Sequence, residues 1–289
     1  MAPAPARITT SDGVDLAVHD LGGDGPPLLM AHATGFHGQV FAPLARLLAP
    51  FFHCWSFDFR GHGDSAGPPG GDFAWAGFGR DVIGVVDGVG LVRPFSVGHS
   101  AGGAGLLIAE LDRPGTFRAM YAYEPIVFPP GPGPSAQASG AQPNRGHLLA
   151  ASARRRREVF ASRAEALANF AAKPPLADLD PLALEAYVAH GFEDLPDGSV
   201  RLKCRREDEA RVYEMAGQHG TYDRLGQIRC PVTLACGART ESLGEDAMRA
   251  AAQRMPAARV DVLEGLGHFG PMQDPAAVAA GVHHAFGGS

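Results

Sequence analysis

Short apolar segments alternate with longer, alanine-rich segments along most of the chain. The short segments are rich in Val, Leu, Ile and Phe and predict eight strands, at residues 8–10, 16–19, 28–31, 54–57, 95–97, 119–123, 232–235 and 260–263. Several of them are apolar throughout, which is typical of parallel strands covered on both faces. Helices are predicted between the strands, at residues 40–48, 78–89, 103–111, 247–254 and 276–286. This alternation predicts an α/β fold in which helices flank a mostly parallel, eight-stranded sheet.

The alternation stops between about residues 129 and 225. A loop rich in Pro, Gly and Ser comes first, at residues 129–143, and helical segments follow at residues 147–160, 163–172, 181–190 and 207–217. Strand signals are nearly absent from this stretch. We therefore predict a helical cap insertion at residues 129–225, which divides the core into a first part, residues 1–128, and a second part, residues 226–289.

A Gly-x-Ser-x-Gly motif, Gly98-His99-Ser100-Ala101-Gly102, stands between the predicted strand 95–97 and the predicted helix 103–111. A serine in this strand–turn–helix context lies on a tight bend, and the bend requires small neighbours. Its hydroxyl is exposed at the start of a helix, where unpaired N–H groups and the helix dipole favour negative charge. The motif predicts Ser100 as a nucleophile, whereas a glycine-rich turn without chemistry is the less favoured interpretation.

A serine nucleophile needs a base, and the best placed of the twelve histidines is His268. It follows the last predicted strand in a glycine-bearing loop, which fits the chain order serine, acid, histidine. The acid would accept the second imidazole N–H and stabilise the imidazolium. Two carboxylates stand at strand ends between Ser100 and His268, and these are Glu124 and Glu241. The residues themselves leave the choice between them open.

These motifs, together with the segment Asp58-Phe-Arg-Gly-His-Gly-Asp-Ser65, resemble the α/β-hydrolase superfamily over roughly two-thirds of the chain. In that family the loop with the pattern D-x-R-G-x-G-x-S supports the site. The resemblance implies that Asp58 and Arg60 are structural. It also excludes epoxide hydrolases and haloalkane dehalogenases, because their nucleophile is an Asp where this chain has Ser100.

The resemblance also suggests the remaining site residues. It implies an oxyanion hole formed by the backbone N–H groups of Thr34 and Ala101, although Ala33 replaces the usual glycine of the first loop. Glu241 is favoured as the acid because it follows the predicted strand at residues 232–235, where the acid of the family is usually found. An Asp one residue earlier is more typical of the family, and Thr240 occupies that position here. Glu124 remains the alternative, since some members carry a Glu after the preceding strand.

Composition narrows the function classes further. A net charge of −6 argues against general binding to nucleic acid or anionic membranes, and the basic run at residues 154–157 is interpreted as a solvated helix face. None of the four cysteines has CxxC spacing. Cys54 and Cys236 lie inside apolar, strand-like segments, where a free thiol packs as a small hydrophobic group, and this fits a reducing compartment. With no evident signal peptide at residues 1–5, we expect a cytoplasmic protein. We expect no cofactor and no metal, and the oligomeric state stays open, a homodimer included.

The residues together predict a serine hydrolase that cleaves an ester, thioester or lactone of a small, partly apolar substrate through an acyl-enzyme on Ser100. A carbon–carbon bond hydrolase, a perhydrolase and an acyltransferase would use the same three side chains. A different class, a small-molecule binding protein on the same fold, is the remaining alternative.

Overall fold

The computed structural model describes residues 6–129, 145–216 and 218–287. The strands, numbered in chain order, are β1 Ala6–Thr9, β2 Asp15–Gly22, β3 Pro27–Ala31, β4 His53–Phe57, β5 Phe95–His99, β6 Ala119–Tyr123, β7 Val159–Phe160, β8 Phe192–Asp194, β9 Val200–Leu202, β10 Val232–Gly237 and β11 Ala258–Leu263. The helices are α1 Ala42–Leu48, α2 Trp75–Val89, α3 Ala101–Asp112, α4 Arg145–Arg154, α5 Arg163–Ala171, α6 Pro181–Gly191, α7 Arg206–Met215, α8 Thr221–Arg224, α9 Glu245–Ala252, α10 Gly270–Gln273 and α11 Pro275–Phe286.

Eight strands form one sheet in the order β1-β2-β4-β3-β5-β6-β10-β11. The pairs β1–β2 and β2–β4 are antiparallel, and every pair from β4 to β11 is parallel. The eight predicted strands and the mostly parallel sheet are therefore confirmed. Because parallel strands end at the same edge, the loops that follow β3, β5, β6, β10 and β11 converge there.

The continuous apolar character of the central strands follows from burial on both faces. In β3, Leu29 and Ala31 join a cluster with α2, α3 and α9, whereas Leu28 and Met30 join a second cluster with α1 and α11. Successive side chains of a strand point to opposite faces, so a strand covered on both sides is apolar at every position. The two clusters form the core above and below the sheet.

Residues 145–225, the inserted segment, separate β6 from β10 and carry α4 to α8. The segment is mainly helical, as predicted, but it also contains a small antiparallel sheet of β7, β9 and β8 that the sequence did not indicate. The predicted helix 147–160 ends at Arg154, and Val159–Phe160 pairs with β9 instead. These strands have only two or three residues each, too few for an alternating pattern to be recognised in the sequence.

Most of the predicted Pro-, Gly- and Ser-rich loop at residues 129–143, and the two termini, lie outside the described residues. Their predictions are neither supported nor opposed. Among the helices that the structure describes, none combines the length and apolar character needed to cross a bilayer.

A buried arginine joins three parts of the core beside the antiparallel edge of the sheet. The guanidinium of Arg60, which is 2% exposed, bonds both carboxylate oxygens of Asp81 on α2 and those of Asp12 in the β1–β2 turn. The nearby Asp58 is also buried and accepts the Gly38 amide at 2.7 Å. These contacts agree with supporting roles for Asp58 and Arg60.

We predict that Asp81→Ala lowers the free energy of unfolding by about 3–5 kcal/mol, because it removes the fully buried partner of the Arg60 charge. Asp87→Ala on the same helix is the matched control, since its ion pair with Arg113 is solvent-exposed and contributes about 0–1 kcal/mol. Urea denaturation of the two variants measures the difference. Equal losses in both would contradict the importance of the buried pair.

Candidate active site

Ser100 lies on the tight bend between β5 and α3, in the strand–turn–helix context that its motif predicts. Its backbone has φ 55° and ψ −114°, a left-handed conformation that is costly for a residue other than glycine. The bend is held from the neighbouring strand, because the Ser100 amide donates to Tyr123 O at 2.9 Å and the Ile126 amide donates to Ser100 O at 3.2 Å. The strained residue is thus fixed to the end of β6.

The two glycines of the motif are required by close backbone contacts. A Cβ atom on Gly102 would lie 2.0 Å from Ala31 O, and one on Gly98 would lie 2.7 Å from the backbone of Gly103. Neither backbone can move away cheaply. The start of α3 therefore packs directly against the loop that follows β3, which is the loop predicted to carry Thr34.

His268 follows β11 and reaches over the sheet edge toward β6. Its Nδ1–H donates to Glu124 Oε2 at 2.6 Å, and Glu124 is completely buried at the end of β6. The same carboxylate accepts the Gly237 amide at 3.2 Å and the Thr240 hydroxyl at 2.9 Å. Because Nδ1 carries the proton in this arrangement, the lone pair of a neutral His268 ring is on Nε2.

The contact with Glu124 corrects the sequence-based preference for Glu241. Glu241 is exposed in the loop after β10, whereas the carboxylate that bonds His268 belongs to Glu124. The sequence could not separate the two because β6 and β10 are adjacent parallel strands whose ends meet at one point. Thr240, which stands where an Asp is more typical in the family, contributes a hydroxyl to Glu124 instead of a second carboxylate.

His99, next to Ser100, holds the backbone of the His268 loop. Its Nε2–H donates to His268 O at 2.8 Å, and the two imidazole centroids are 5.0 Å apart. Burial lowers the pKa of His99 well below its usual value, and the nearby His268 adds to this effect. Tyr123 donates its hydroxyl to Gly267 O at 2.7 Å. The loop is therefore anchored by the residues that precede Ser100 and Glu124, and His99 has the structural, backbone-bonding role that its position beside the bend suggests.

The loop after β3 is fixed through His32. Its Nδ1–H donates to Ala33 O at 2.8 Å, and its Nε2 accepts the Phe59 amide at 2.9 Å. Thr34 and Ala101 are both buried. Within the described residues, neither the Thr34 nor the Ala101 amide donates a hydrogen bond to a protein acceptor. Both predicted oxyanion donors are thus left without a partner in the protein.

The inserted segment rests on this same loop. His37 donates from Nε2 to Tyr187 O at 3.1 Å, and a Cβ on Gly35 would lie 2.6 Å from Glu209 Oε1. Glu209 pairs with Arg156, whose Nη2 donates to the Tyr187 hydroxyl at 2.6 Å. The predicted solvated face at residues 154–157 is therefore wrong for Arg156. The reason is that α4 ends at Arg154, so Arg156 no longer follows the exposed side of a helix.

Aromatic side chains flank the predicted base. Phe269 lies 5.2 Å from the His268 ring and 5.6 Å from Phe36, and Phe36 lies 5.2 Å from Tyr187, measured between ring centroids. Phe36 and Phe269 belong to the core domain, and Tyr187 belongs to the inserted segment. The arrangement forms a row of apolar rings beside His268 that joins the core to the inserted segment.

Metal-ligating side chains do not gather at this edge of the sheet. In the part of the chain that the structure describes, there is no group of three or more His, Cys, Asp and Glu residues that could hold a metal ion. The polar groups available for chemistry are therefore the hydroxyl, imidazole, carboxylate and amide groups already described.

The fold and this arrangement define an α/β hydrolase. A model of the alpha/beta hydrolase family matches residues 28–281, and the chain belongs to that family. A solved structure of E-2-(acetamidomethylene)succinate hydrolase superposes with a TM-score of 0.82 over 98% of both chains, at 20% identity. At that identity the likeness concerns the fold alone.

Curated relatives match over shorter stretches. A putative carbamate hydrolase, RutD, from Caulobacter sp. (strain K31) is 36% identical over 104 residues, which are 35% of this chain and 38% of RutD. Human monoglyceride lipase is 32% identical over 106 residues, which are 35% of each chain. The matches thus span little more than a third of the relatives' own length.

The buried histidines predict a loss of stability in acid. Burial lowers the pKa of His32 to about 3 and that of His37 to about 4, against about 6.5 in an unfolded chain. Their contribution to stability is complete above pH 6.5 and declines as the pH falls toward 4, by up to about 1.4 kcal/mol per pH unit for each histidine. His37→Gln should therefore flatten the slope between pH 6 and 4.5 by about that amount.

Urea unfolding at pH 6.5, 5.5 and 4.5 measures the slope. His284→Gln, at the exposed end of α11, is the matched control. If His37→Gln and His284→Gln retain the same slope as the unmodified protein, burial of His37 does not govern the acid sensitivity.

Proposed function

We propose that this protein is a serine hydrolase in which Ser100 is the nucleophile, His268 the general base and Glu124 the acid of the triad. The observation that carries the proposal is the hydrogen bond from His268 Nδ1 to the buried Glu124, formed beside the strained bend of Ser100. A carboxylate on Nδ1 fixes the imidazole tautomer whose Nε2 can accept a proton. Backbone strain at a functional group is typical of reactive serines on such bends.

The reaction proceeds through four proton transfers at His268, two in acylation and two in deacylation. Nε2 takes the Ser100 hydroxyl proton while the oxygen attacks the substrate carbonyl carbon. The Thr34 and Ala101 amides stabilise the oxyanion, and the imidazolium then protonates the departing alcohol or thiol, which leaves an acyl group on Ser100. A water molecule gives a proton to Nε2, attacks the acyl carbon and releases the acid. The Ser100 hydroxyl is restored.

The substrate class is an ester, thioester or lactone of a small, partly apolar compound. Phe36, Phe269 and Tyr187 support an apolar region beside the base, and the relatives of this chain include a monoglyceride lipase and a methyl ester esterase. Residues 129–225 act as the cap, because the described part of this range contacts the loop of Thr34 and can exclude water from it.

The free cysteines support a reducing compartment for this protein. Cys54, Cys204, Cys230 and Cys236 carry free thiols, and three of them are buried. Free thiols in this number favour the reducing cytoplasm. The partner of the protein is then a small-molecule substrate of that compartment.

Ser100→Ala is expected to lower the turnover of p-nitrophenyl butyrate by at least about 10⁴-fold, because the nucleophile is removed. A fluorophosphonate probe should label the unmodified protein at Ser100 and leave the variant unlabelled. Ser96→Ala is the matched control, since Ser96 is a buried serine on the same strand, β5. Unchanged turnover by Ser100→Ala would refute the proposed nucleophile.

Two conservative variants distinguish between Glu124 and Glu241 as the acid of the triad. Glu124→Gln is expected to lower kcat by about 10²–10⁴-fold, because the amide cannot stabilise the imidazolium in the same way. Glu241→Gln, in an exposed loop, should remain within about threefold of the unmodified protein. The reverse ranking of the two variants would assign the acid to Glu241.

A further inference from the structure

The hydroxyl of Thr240 contacts the carboxylate oxygen that His268 uses. Thr240 Oγ1 lies 2.9 Å from Glu124 Oε2, and His268 Nδ1 lies 2.6 Å from the same atom. The other oxygen, Oε1, accepts the Gly237 amide at 3.2 Å. Oε2 thus receives one donor from the imidazole and one from a side chain on the adjacent strand end.

The Thr240 hydroxyl lies between a donor and an acceptor. The Ser242 amide donates to its oxygen at 3.1 Å, and the hydroxyl donates to Glu124 Oε2 at 2.9 Å. The Thr240 backbone is itself fixed, because its amide donates to Gly237 O at 3.2 Å. The donor is therefore preorganised by the loop after β10, and no reorganisation is needed when charge develops on His268.

The position of this donor has a consequence for the imidazole. The Glu124 side chain has three rotatable bonds, so its carboxylate could turn away from His268. In the proposed mechanism the His268 ring becomes positively charged twice in each catalytic cycle. With Oε1 held by an amide and Oε2 held by a hydroxyl, the carboxylate plane of Glu124 is restrained while its second Oε2 lone pair stays aimed at Nδ1. Backbone amides alone would restrain only one of the two oxygens well, because the Leu243 amide is 3.4 Å from Oε2.

We propose that Thr240 is a positioning residue of the active site, which acts through Glu124 to hold the carboxylate against His268. The proposal rests on the proposed function, in which Glu124 is the acid. Its competitor is a purely structural role, in which the hydroxyl only closes the turn with the Ser242 amide. The two roles differ in one respect: only the first depends on the carboxylate of Glu124.

The first experiment compares Thr240→Val, which keeps the shape and removes the hydroxyl, with Thr240→Ser, which keeps the hydroxyl. Thr240→Val should lower kcat for p-nitrophenyl butyrate by about tenfold with KM nearly unchanged, because it weakens an interaction made with the charged imidazole. Thr240→Ser should restore activity to within about threefold. Thr233→Val, on β10 with its hydroxyl bonded to Arg259, is the matched control and should leave kcat unchanged.

The pH profile distinguishes positioning from loosened packing. A carboxylate that is held less closely against an imidazolium stabilises the charged ring less. The acidic limb of kcat/KM should therefore move to lower pH in Thr240→Val, by more than ~0.3 units, and return in Thr240→Ser. A lower kcat with an unmoved limb in Thr240→Val would overturn the proposal, as would an unchanged kcat.

A double-mutant cycle tests whether the effect passes through Glu124. In the Glu124→Gln background, Thr240→Val should cost less than about twofold, because there is no carboxylate left to hold. A full tenfold loss in that background would assign Thr240 a separate structural role. Failure of the proposed function has a different signature, namely Glu124→Gln with normal turnover, or Ser100→Ala with normal turnover.

Discussion

The candidate site depends on one desolvated carboxylate. Glu124 is completely buried at the end of β6, and a carboxylate without water is strongly destabilising unless polar partners surround it. Its partners come from two adjacent strand ends: Gly237 is the last residue of β10, Thr240 lies in the loop after β10, and His268 lies in the loop after β11. Satisfying this single group therefore brings the loops after the last two strands of the sheet to the bend that carries Ser100.

The fold was predictable from the sequence to a large extent. Central strands such as β3 and β6 are apolar on both faces. Such a strand can therefore be recognised as a continuous apolar segment even when its tertiary contacts are unknown. The motif around Ser100 was recognisable because its backbone conformation imposes glycine at Gly98 and Gly102 through contacts that no larger residue tolerates. Local constraints of this kind determine the residue type at a position and can therefore be recognised in the sequence.

The carboxylate partner of His268 could not be recognised in the same way. Glu124 and Glu241 both follow strands that end at the same sheet edge, and the order of β6 and β10 in space does not tell which side chain turns toward His268. The distinction lies in long-range contacts, including the Thr240 hydroxyl, which fills the place where the family resemblance suggested a carboxylate. The small sheet of the inserted segment and the burial of Arg156 were missed for the same reason, because both depend on tertiary partners and not on sequence periodicity.

The backbone bonds between Ser100 and the end of β6 join two of the reacting groups into one rigid body. Since Tyr123 O accepts the Ser100 amide and the Ser100 carbonyl accepts the Ile126 amide, the alcohol and the carboxylate of Glu124 are carried on a common scaffold. None of these bonds involves residues 145–225. Substitutions in the inserted segment can therefore accumulate without disturbing the backbone link that sets the spacing between Ser100 and Glu124.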